Sequence, residues 1–165
     1  MVEDFRIGYG YDVHKLVASL PLVICGMSID HPSGSLGHSD GDVGYHSICD
    51  AILGALALGD LGTYFPSSDD QWSGVSSDIF LKKILSLMHN NNYVINNIDC
   101  TIILQSPQIN HHIKQMRTNL AKSCAVDIGK ISIKATTTDN LGFIGNNNGI
   151  AASAIVLLKK VSHVS

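Results

Sequence analysis

The sequence contains little charge and few aromatic rings. Only 15% of its 165 residues are charged, where a typical globular protein has about 25%, and aromatic residues make up 6%. Its 11 lysines and arginines form no basic stripe, which argues against binding of nucleic acid through the phosphate backbone. The low charge indicates that other subunits cover part of the surface. A surface of neutral Asn and Ser side chains is the alternative.

Several common motifs are also missing. The four cysteines, Cys25, Cys49, Cys100 and Cys124, form no Cys-x-x-Cys pair, so they make neither a zinc knuckle nor a thioredoxin-type site, and a reduced, cytoplasmic compartment fits. The apolar runs are too short and too interrupted to span a bilayer. The N-terminus resembles neither a signal peptide nor a transit segment. A plastid protein from which a transit segment has been removed is the alternative. Phosphate-binding P-loop, dinucleotide and nucleophile-elbow motifs do not occur.

The apolar pattern predicts one domain over residues 1–165. Strands are expected at 5–10, 22–25, 98–104, 131–135 and 150–158, and helices at about 42–58, from 76 or 77 to 89, and from Pro107 onward, with loops at 28–41 and 61–74. This order predicts an α+β (α/β) fold with a mixed four-to-five-stranded sheet and helices packed on one face. Self-association is the simplest way to cover the other face.

Three metal-ligand side chains are predicted to converge. Asp12 and His14 lie two residues apart, so an extended strand points both to one face, and His46 lies near the start of the first predicted helix. Imidazole and carboxylate suit a divalent transition metal, and three protein ligands leave one position open in a tetrahedral zinc site. Asp42 and Asp50, one helical turn to either side of His46, could orient its imidazole. The alternatives are a core histidine and a turn aspartate that never meet, a favourable charge in the first helical turn for Asp42, and a solvent-facing acid for Asp50.

Two further polar clusters are candidates for anion binding. His38 and Ser39 precede the first helix and could donate hydrogen bonds to an anion, although Ser39 or Asp40 could equally cap the helix. Residues 134–139 combine threonine hydroxyls with Asp139, a hard oxygen ligand suited to magnesium. A plain threonine-rich strand explains the same residues.

Four segments together resemble a known family. They are residues 6–14, residues 38–43, residues 50–62 with Phe65-Pro66, and residues 134–138 with Leu141-Gly142-Phe143. In order and spacing they are similar to the 2-C-methyl-D-erythritol 2,4-cyclodiphosphate synthase family, over residues 6–159.

The resemblance implies a phosphorus–oxygen lyase of the non-mevalonate (MEP) isoprenoid pathway. Its substrate would be 4-diphosphocytidyl-2-C-methyl-D-erythritol 2-phosphate, and its products the 2,4-cyclodiphosphate and CMP. The resemblance further implies a homotrimer with active sites between subunits. Zinc would bind to Asp12, His14 and His46, and Mg²⁺ or Mn²⁺ on the substrate diphosphate would be held in part by Asp139.

The resemblance also implies roles for individual residues. His38 and Thr137 match residues that stabilise the transition state. The expected substrate-binding residues are Asp12, His14, His38, Ser39, Asp60, Leu61, Gly62, Phe65, Pro66, Ser67, Ser68, Asp69, Leu104, Gln105, Ser106, Pro107, Gln108, Ile109, Asn110, Thr136, Thr137, Thr138, Asp139, Phe143 and Asn146.

At four of these positions the chain departs from the family pattern. Ser67 replaces an Asp, Asp139 a Glu, Gln108 a Lys, and Asn146 an Arg that faces the trimer axis. A zinc hydrolase with the same ligands and a non-catalytic trimer that binds a phosphorylated ligand are the competing hypotheses.

Overall fold

The computed structural model describes residues 4–161, which form a five-stranded mixed sheet with three longer helices packed on one side. The strands are β1 (Phe5–Ala18), β2 (Leu22–Ile24), β3 (Met27–Ile29), β4 (Ser33–Leu36), β5 (Tyr93–Ile103), β6 (Ile131–Thr136) and β7 (Gly149–Lys160). The helices are α1 (Val43–Leu56), α2 (Leu61–Tyr64), α3 (Ser77–Asn90), α4 (Ile113–Cys124) and α5 (Gly142–Gly145), with 3₁₀ turns at Asp70–Trp72, Asn110–His112 and Ile128–Lys130. No helix within residues 4–161 is long and apolar enough to cross a membrane.

The sheet order is β4-β1-β7-β5-β6. β5 and β6 run parallel and every other neighbouring pair in this sheet is antiparallel, which confirms the predicted mixed sheet. β2 and β3 form a separate hairpin. Helix α1 packs across β1 and β7, while α3 and α4 extend the helical layer towards β5 and β6. Apolar side chains between the two layers form one continuous core.

Helix α1 approaches β1 closely because two glycines face it. A Cβ atom on Gly8 would lie 1.8 Å from the carbonyl oxygen of Ala51, and one on Gly10 would lie 1.9 Å from that of Ser47. Backbone therefore touches backbone at these positions, which no larger residue permits. Every second residue of β1 shares this face, so Asp12 and His14 continue the line of Gly8 and Gly10 beneath α1.

The predicted boundaries were wrong where the apolar alternation breaks. β1 extends to Ala18 and not Gly10, since the polar Asp12 and His14 belong to the strand. β4 lies inside the expected loop 28–41, where serine and glycine pair with β1. β5 begins at Tyr93 and not Ile98, because a register shift between Ile95 and Asn97 interrupts its period.

Two other expectations also need correction. The third long helix begins at Ile113 and not at Pro107, because the intervening residues bury Ile109 and turn through a 3₁₀ segment before the helix starts. The expected loop 61–74 contains the short helix α2 and a 3₁₀ turn. Aromatic contacts fix this segment against the core, because Phe65 packs edge-to-face on Trp72 and stacks on Phe80.

The other face of β1 is exposed and apolar. Phe5, Ile7, Tyr9, Tyr11 and Val13 all point away from the helical layer, with Ile7 71% and Tyr9 63% exposed. We call these five residues the outer apolar stripe. Exposed apolar residues in a continuous row mark a surface for association more often than isolated ones do.

We expect Gly10→Ala to lower the free energy of unfolding by about 1–3 kcal/mol, because the added methyl group would force α1 away from β1. Gly54→Ala is the matched control. Its Cβ would meet only Tyr9 O at 3.8 Å, so stability should stay equal or rise by up to about 1 kcal/mol. Urea unfolding of both variants measures the difference, and equal midpoints would contradict the close contact.

Candidate active site

Two elements bring the predicted metal ligands together. β1 presents Asp12 and His14 on the face towards α1, and the first turn of α1 presents His46. The helix begins there because Asp42 caps it, accepting a hydrogen bond from the backbone N–H of Tyr45 at 3.1 Å. The close β1–α1 contact then sets the height of His46 above the strand.

The three ligand atoms form a tight triangle. Asp12 Oδ2 lies 2.9 Å from His46 Nδ1 and 3.0 Å from His14 Nε2, and the two imidazole nitrogens lie 3.1 Å apart. His46 is buried, while Asp12 and His14 are partly exposed. Within residues 4–161, only these three form a His, Cys, Asp and Glu group that could hold a metal ion.

Hydrogen bonds on the far side of each ring favour lone pairs at the centre of the triangle. His14 Nδ1 lies 3.1 Å from the carbonyl oxygen of Leu36, which can only accept, so this nitrogen carries the proton and Nε2 is left with its lone pair. His46 Nε2 contacts the hydroxyl oxygens of Ser77 at 2.9 Å and Ser39 at 3.1 Å. If His46 Nε2 carries its proton, two imidazole lone pairs and a carboxylate face one another, and a shared divalent cation satisfies all three.

Electrostatics keep the carboxylate ionised. Burial raises the pKa of Asp12, but its interactions with the His14 and His46 rings outweigh burial and hold that pKa well below its ordinary value. Burial lowers the pKa of His14, and the adjacent Asp12 carboxylate reverses this, so the net change is upward. The pocket therefore strongly favours a positive charge beside Asp12, as a metal site must.

The carboxylates expected to orient His46 do something else. Asp42 is fully buried and accepts hydrogen bonds from the backbone N–H groups of Cys25, Gly26 and Tyr45, so it joins the β2–β3 turn to α1. Burial nevertheless raises the pKa of Asp42 to about 6. Asp50 is no solvent-facing acid either. It accepts from the N–H of Leu61 at 2.7 Å and so fixes the start of α2 to α1.

His38 and Ser39 lie beside the triangle on the loop that precedes α1. Ser39 Oγ contacts the ring of His46, as described above. His38 Nε2 lies 3.0 Å from the carbonyl oxygen of Asp69, and the N–H of Gly74 donates to the His38 carbonyl at 2.8 Å. The segment 66–74 is therefore held over this loop by hydrogen bonds to His38.

The predicted substrate-binding residues 60–69 form the next stretch of this edge. Asp60 caps α2 by accepting from the N–H and hydroxyl of Thr63. Leu61 is half-buried against the core and Gly62 is exposed, while Phe65 is buried in the aromatic group with Trp72 and Phe80. Pro66, Ser67 and Ser68 are exposed, and Asp69 caps the following 3₁₀ turn.

A second cluster lies at the ends of β5 and β6. A cavity of about 200 Å³ is bordered there by Leu104, Gln105, Pro107, Gln108, Ile109, Asn110, Ala135, Thr136 and Thr137. The N–H of Leu104 donates to Thr136 O at 3.0 Å, which holds the two segments together. Ser106 belongs to the same turn through its cis peptide bond to Pro107.

The remaining predicted residues follow β6. Asp139 is exposed and its N–H donates to the Thr137 hydroxyl at 3.3 Å, and Thr138 donates to Leu141 O. Phe143 is half exposed on α5, and Asn146 ends that helix. Residues 138–140 thus continue from the second cluster, where the N–H of Asn140 donates to Gln105 Oε1, whereas Phe143 lies against Gly149, which pairs with Lys15 on β1 next to His14.

The comparisons with known proteins identify the family. The sequence profile of the YgbB family matches residues 5–159. The chain belongs to the YgbB family. Among curated relatives it is similar to 2-C-methyl-D-erythritol 2,4-cyclodiphosphate synthases of Desulfitobacterium hafniense (51% identity, covering 94% of this chain and 99% of the relative) and Clostridium botulinum strain Okra (52%, covering 93% and 99%).

Solved structures agree with the YgbB assignment. A Plasmodium falciparum IspF, solved as a CDP complex, superposes with a TM-score of 0.86 at 37% identity, covering 98% of this chain and all of the other. The bifunctional IspDF of Campylobacter jejuni gives 0.94 at 37% identity. The match covers 98% of this chain but 44% of that longer protein.

Sequence reasoning missed Ser77, which contacts His46, and gave other roles to two acidic residues. Asp40 accepts hydrogen bonds from Ser77, and Asp50 accepts one from the N–H of Leu61. The pair Ser76-Ser77 was visible as the start of a helix, but only Ser76 caps it. Nothing in the local sequence indicates that Ser77 faces a histidine 31 positions earlier in the chain.

We expect Asp42→Ala to lower the free energy of unfolding by roughly 3 kcal/mol, because three backbone N–H groups lose their acceptor inside the protein. Asp42→Asn keeps an acceptor oxygen and the shape, so it should lose clearly less. Denaturant unfolding of the two variants at neutral pH provides the measurement. Equal losses would show that the side-chain oxygens do not hold this turn.

Proposed function

We propose that this protein is a 2-C-methyl-D-erythritol 2,4-cyclodiphosphate synthase of the cytoplasm. It would convert 4-diphosphocytidyl-2-C-methyl-D-erythritol 2-phosphate into the cyclic diphosphate and CMP, in the MEP route to isoprenoids. Relatives about 50% identical over nearly the whole chain carry this name. The observation that carries the proposal is the convergence of Asp12, His14 and His46, which supplies the cation site that such a reaction uses.

The reaction needs little covalent help from the protein. An oxygen of the 2-phosphate attacks the β-phosphorus, a new P–O bond closes the ring, and the bond from that phosphorus to the bridging oxygen breaks and releases CMP. The class is a phosphorus–oxygen lyase. Because the nucleophile is already an anion, no protein base has to remove a proton, and catalysis rests on positioning and charge neutralisation.

We propose zinc as the resident cation, held by Asp12, His14 and His46. Zinc–ligand bonds of about 2.0–2.1 Å in a tetrahedral site place the ligand atoms about 3.3 Å apart. The observed separations of 2.9–3.1 Å therefore need only a small outward movement. When bound, zinc supplies a Lewis acid and a template for phosphate oxygens at its fourth position.

Residues around the triangle would bind and orient the phosphates. Ser39 is close enough to the triangle to donate its hydroxyl to a phosphate oxygen on the same cation. His38 would exchange its contact with Asp69 O for one with the transferring phosphoryl group, together with Thr137. Asp60 and residues 61–69 would border the erythritol group. Mg²⁺ or Mn²⁺ on the diphosphate would be held in part by Asp139.

The cavity at the ends of β5 and β6 would take the cytidine. Its size, its backbone groups from residues 104–110 and the hydroxyls of Thr136 and Thr137 suit a pyrimidine nucleoside. Gln108 is neutral where relatives have lysine, so the cytidine side has one charge fewer. Phe143 and Asn146 would border the adjoining part of the site.

A trimer explains how the two clusters serve one substrate. Val13 and Ile103 both pair with Ala151, and Ile103 pairs with Thr136, so both clusters lie at the same end of the sheet. They are separated by three strand spacings of about 4.8 Å, or about 14 Å. In a ring of three copies, the nucleoside cavity of one copy would face the metal triangle of the next. The outer apolar stripe of β1 would be covered at the centre of the ring.

We expect His46→Ala to reduce CMP release about a hundredfold or more and to abolish tight zinc binding, because the removed ring supplies one of three ligands. His89→Ala, an exposed histidine at the end of α3, is the matched control and should retain both. Metal analysis and a CMP-release assay measure the two effects. Full turnover in His46→Ala would reject the metal-centred mechanism, and hydrolysed linear product from the wild type would favour a hydrolase.

We expect Ile7→Lys to convert a trimer into monomers, because it places a charge in the outer apolar stripe, where Ile7 is 71% exposed in the isolated chain. Ile79→Lys, 50% exposed on α3, is the control for an apolar residue outside the stripe and should remain trimeric. Sedimentation velocity at several concentrations distinguishes the species. An unchanged trimer in Ile7→Lys would mean that the subunits meet elsewhere.

A further inference from the structure

A hydrogen-bonded chain runs from a carboxylate to the metal-facing ring. Ser77, fully buried at the first residue of α3, places its Oγ 2.9 Å from His46 Nε2. The same hydroxyl donates to Asp40 Oδ1, and the backbone N–H of Ser77 donates to Asp40 Oδ2 at 3.0 Å. We call Asp40, Ser77 and His46 the relay. It joins the loop before α1, α1 itself and the start of α3.

The direction of the relay follows from what each group can donate. An ionised carboxylate accepts hydrogen bonds but cannot donate them, so the one O–H of Ser77 donates its hydrogen bond to Asp40. Its oxygen must then accept from His46, which requires the proton on Nε2. The lone pair of the neutral ring is therefore at Nδ1, the atom that faces Asp12 and His14.

We propose that Asp40 and Ser77 are positioning residues that set the tautomer of His46 and thereby the affinity of the metal site. This inference rests on the metal centre of the proposed function. Ligating histidines commonly donate their second ring N–H to an acceptor, and loss of that partner costs 10- to 100-fold in metal affinity. Here the acceptor is a serine whose direction is fixed by a carboxylate behind it.

A purely structural role for Ser77 accounts for less of the geometry. Helix α3 already has its cap in Ser76, whose hydroxyl accepts from the N–H of Asp78. Ser77 therefore does not cap the helix, and its buried hydroxyl forms hydrogen bonds with His46 and Asp40. Phe80, one turn further along α3, lies nearly parallel to the His46 ring, with centroids 6.1 Å apart and planes 24° from parallel. Helix α3 thus limits both the proton position and the tilt of this ring.

Ser39 offers a second, weaker acceptor to the same nitrogen. Its Oγ lies 3.1 Å from His46 Nε2 and 3.4 Å from Ser77 Oγ. Its short contacts do not include a carboxylate that would fix the direction of its own proton, so it can turn and donate as readily as accept. We therefore assign the orienting role to Ser77 and leave Ser39 available for a phosphate oxygen.

The test is the affinity for zinc alone, measured with purified full-length protein by competition with a chromophoric chelator. Ser77→Ala should bind zinc about 10- to 100-fold more weakly than the wild type. Asp40→Asn should also weaken binding, because an amide can donate to Ser77 and reverse the relay. Ser76→Ala removes the neighbouring hydroxyl and the helix cap, and should leave the zinc affinity within about twofold of the wild type.

A spectroscopic signature separates orientation from stability. Nitrogen-15 and proton shifts of the His46 ring in the zinc-loaded protein should show a hydrogen-bonded Nε2–H in the wild type and a weaker hydrogen bond in Ser77→Ala. Circular dichroism identifies variants that fold. A folded Ser77→Ala and a folded Asp40→Asn with wild-type zinc affinity would overturn the relay while the proposed synthase stands. Absence of zinc binding in the wild type would overturn the metal centre and the relay together.

Discussion

The site depends on one backbone contact, between β1 and α1 at Gly8 and Gly10. Those glycines let the carbonyl oxygens of Ala51 and Ser47 reach the strand, which no side chain would permit. The distance between helix and strand and the rotation of the helix are then fixed, because a change in either would make the two backbones collide. His46 lies in the first turn of α1, directly before Ser47, and Asp12 and His14 follow Gly10 along β1. Their separations near 3 Å are a consequence of the packing immediately beside them.

Asp42 and Ser77 are buried next to this contact, and each has defined hydrogen-bond partners. Asp42 receives three backbone N–H groups, and Asp40 receives the hydroxyl and N–H of Ser77. A buried polar group without such partners costs several kcal/mol by transfer estimates of about 2–7 kcal/mol. The network therefore makes the loop before α1 a rigid part of the core, and that loop carries His38 and Ser39.

Features of the site that depend on residues close together in the sequence could be predicted, and those that depend on distant residues could not. Spacing alone placed Asp12 and His14 on one strand face, and the apolar period placed His46 near a helix start. The contacts of Ser77, Asp40 and Asp50 join residues 11 to 37 positions apart, and no local pattern encodes them. The start of β5 was missed for a local reason. The bulge near Asn96 adds a single residue to the strand and so cancels the alternation on which the prediction relied.

The two clusters lie at the same end of the sheet but three strands apart, which gives a reason for the proposed assembly beyond covering apolar surface. Within one chain the candidate metal triangle and the proposed nucleoside cavity are fixed on strands three places apart, and a rigid sheet cannot bring them closer. In the proposed trimer, a neighbouring copy would place a second half-site nearer to the first, so that a substrate with phosphates at one end and a pyrimidine at the other could bridge the two. An outer apolar stripe on β1 would hold the copies in that orientation without using charge, which agrees with the low charge content of the chain. Loss of the stripe should therefore impair turnover through geometry, even where every ligand to the cation is intact.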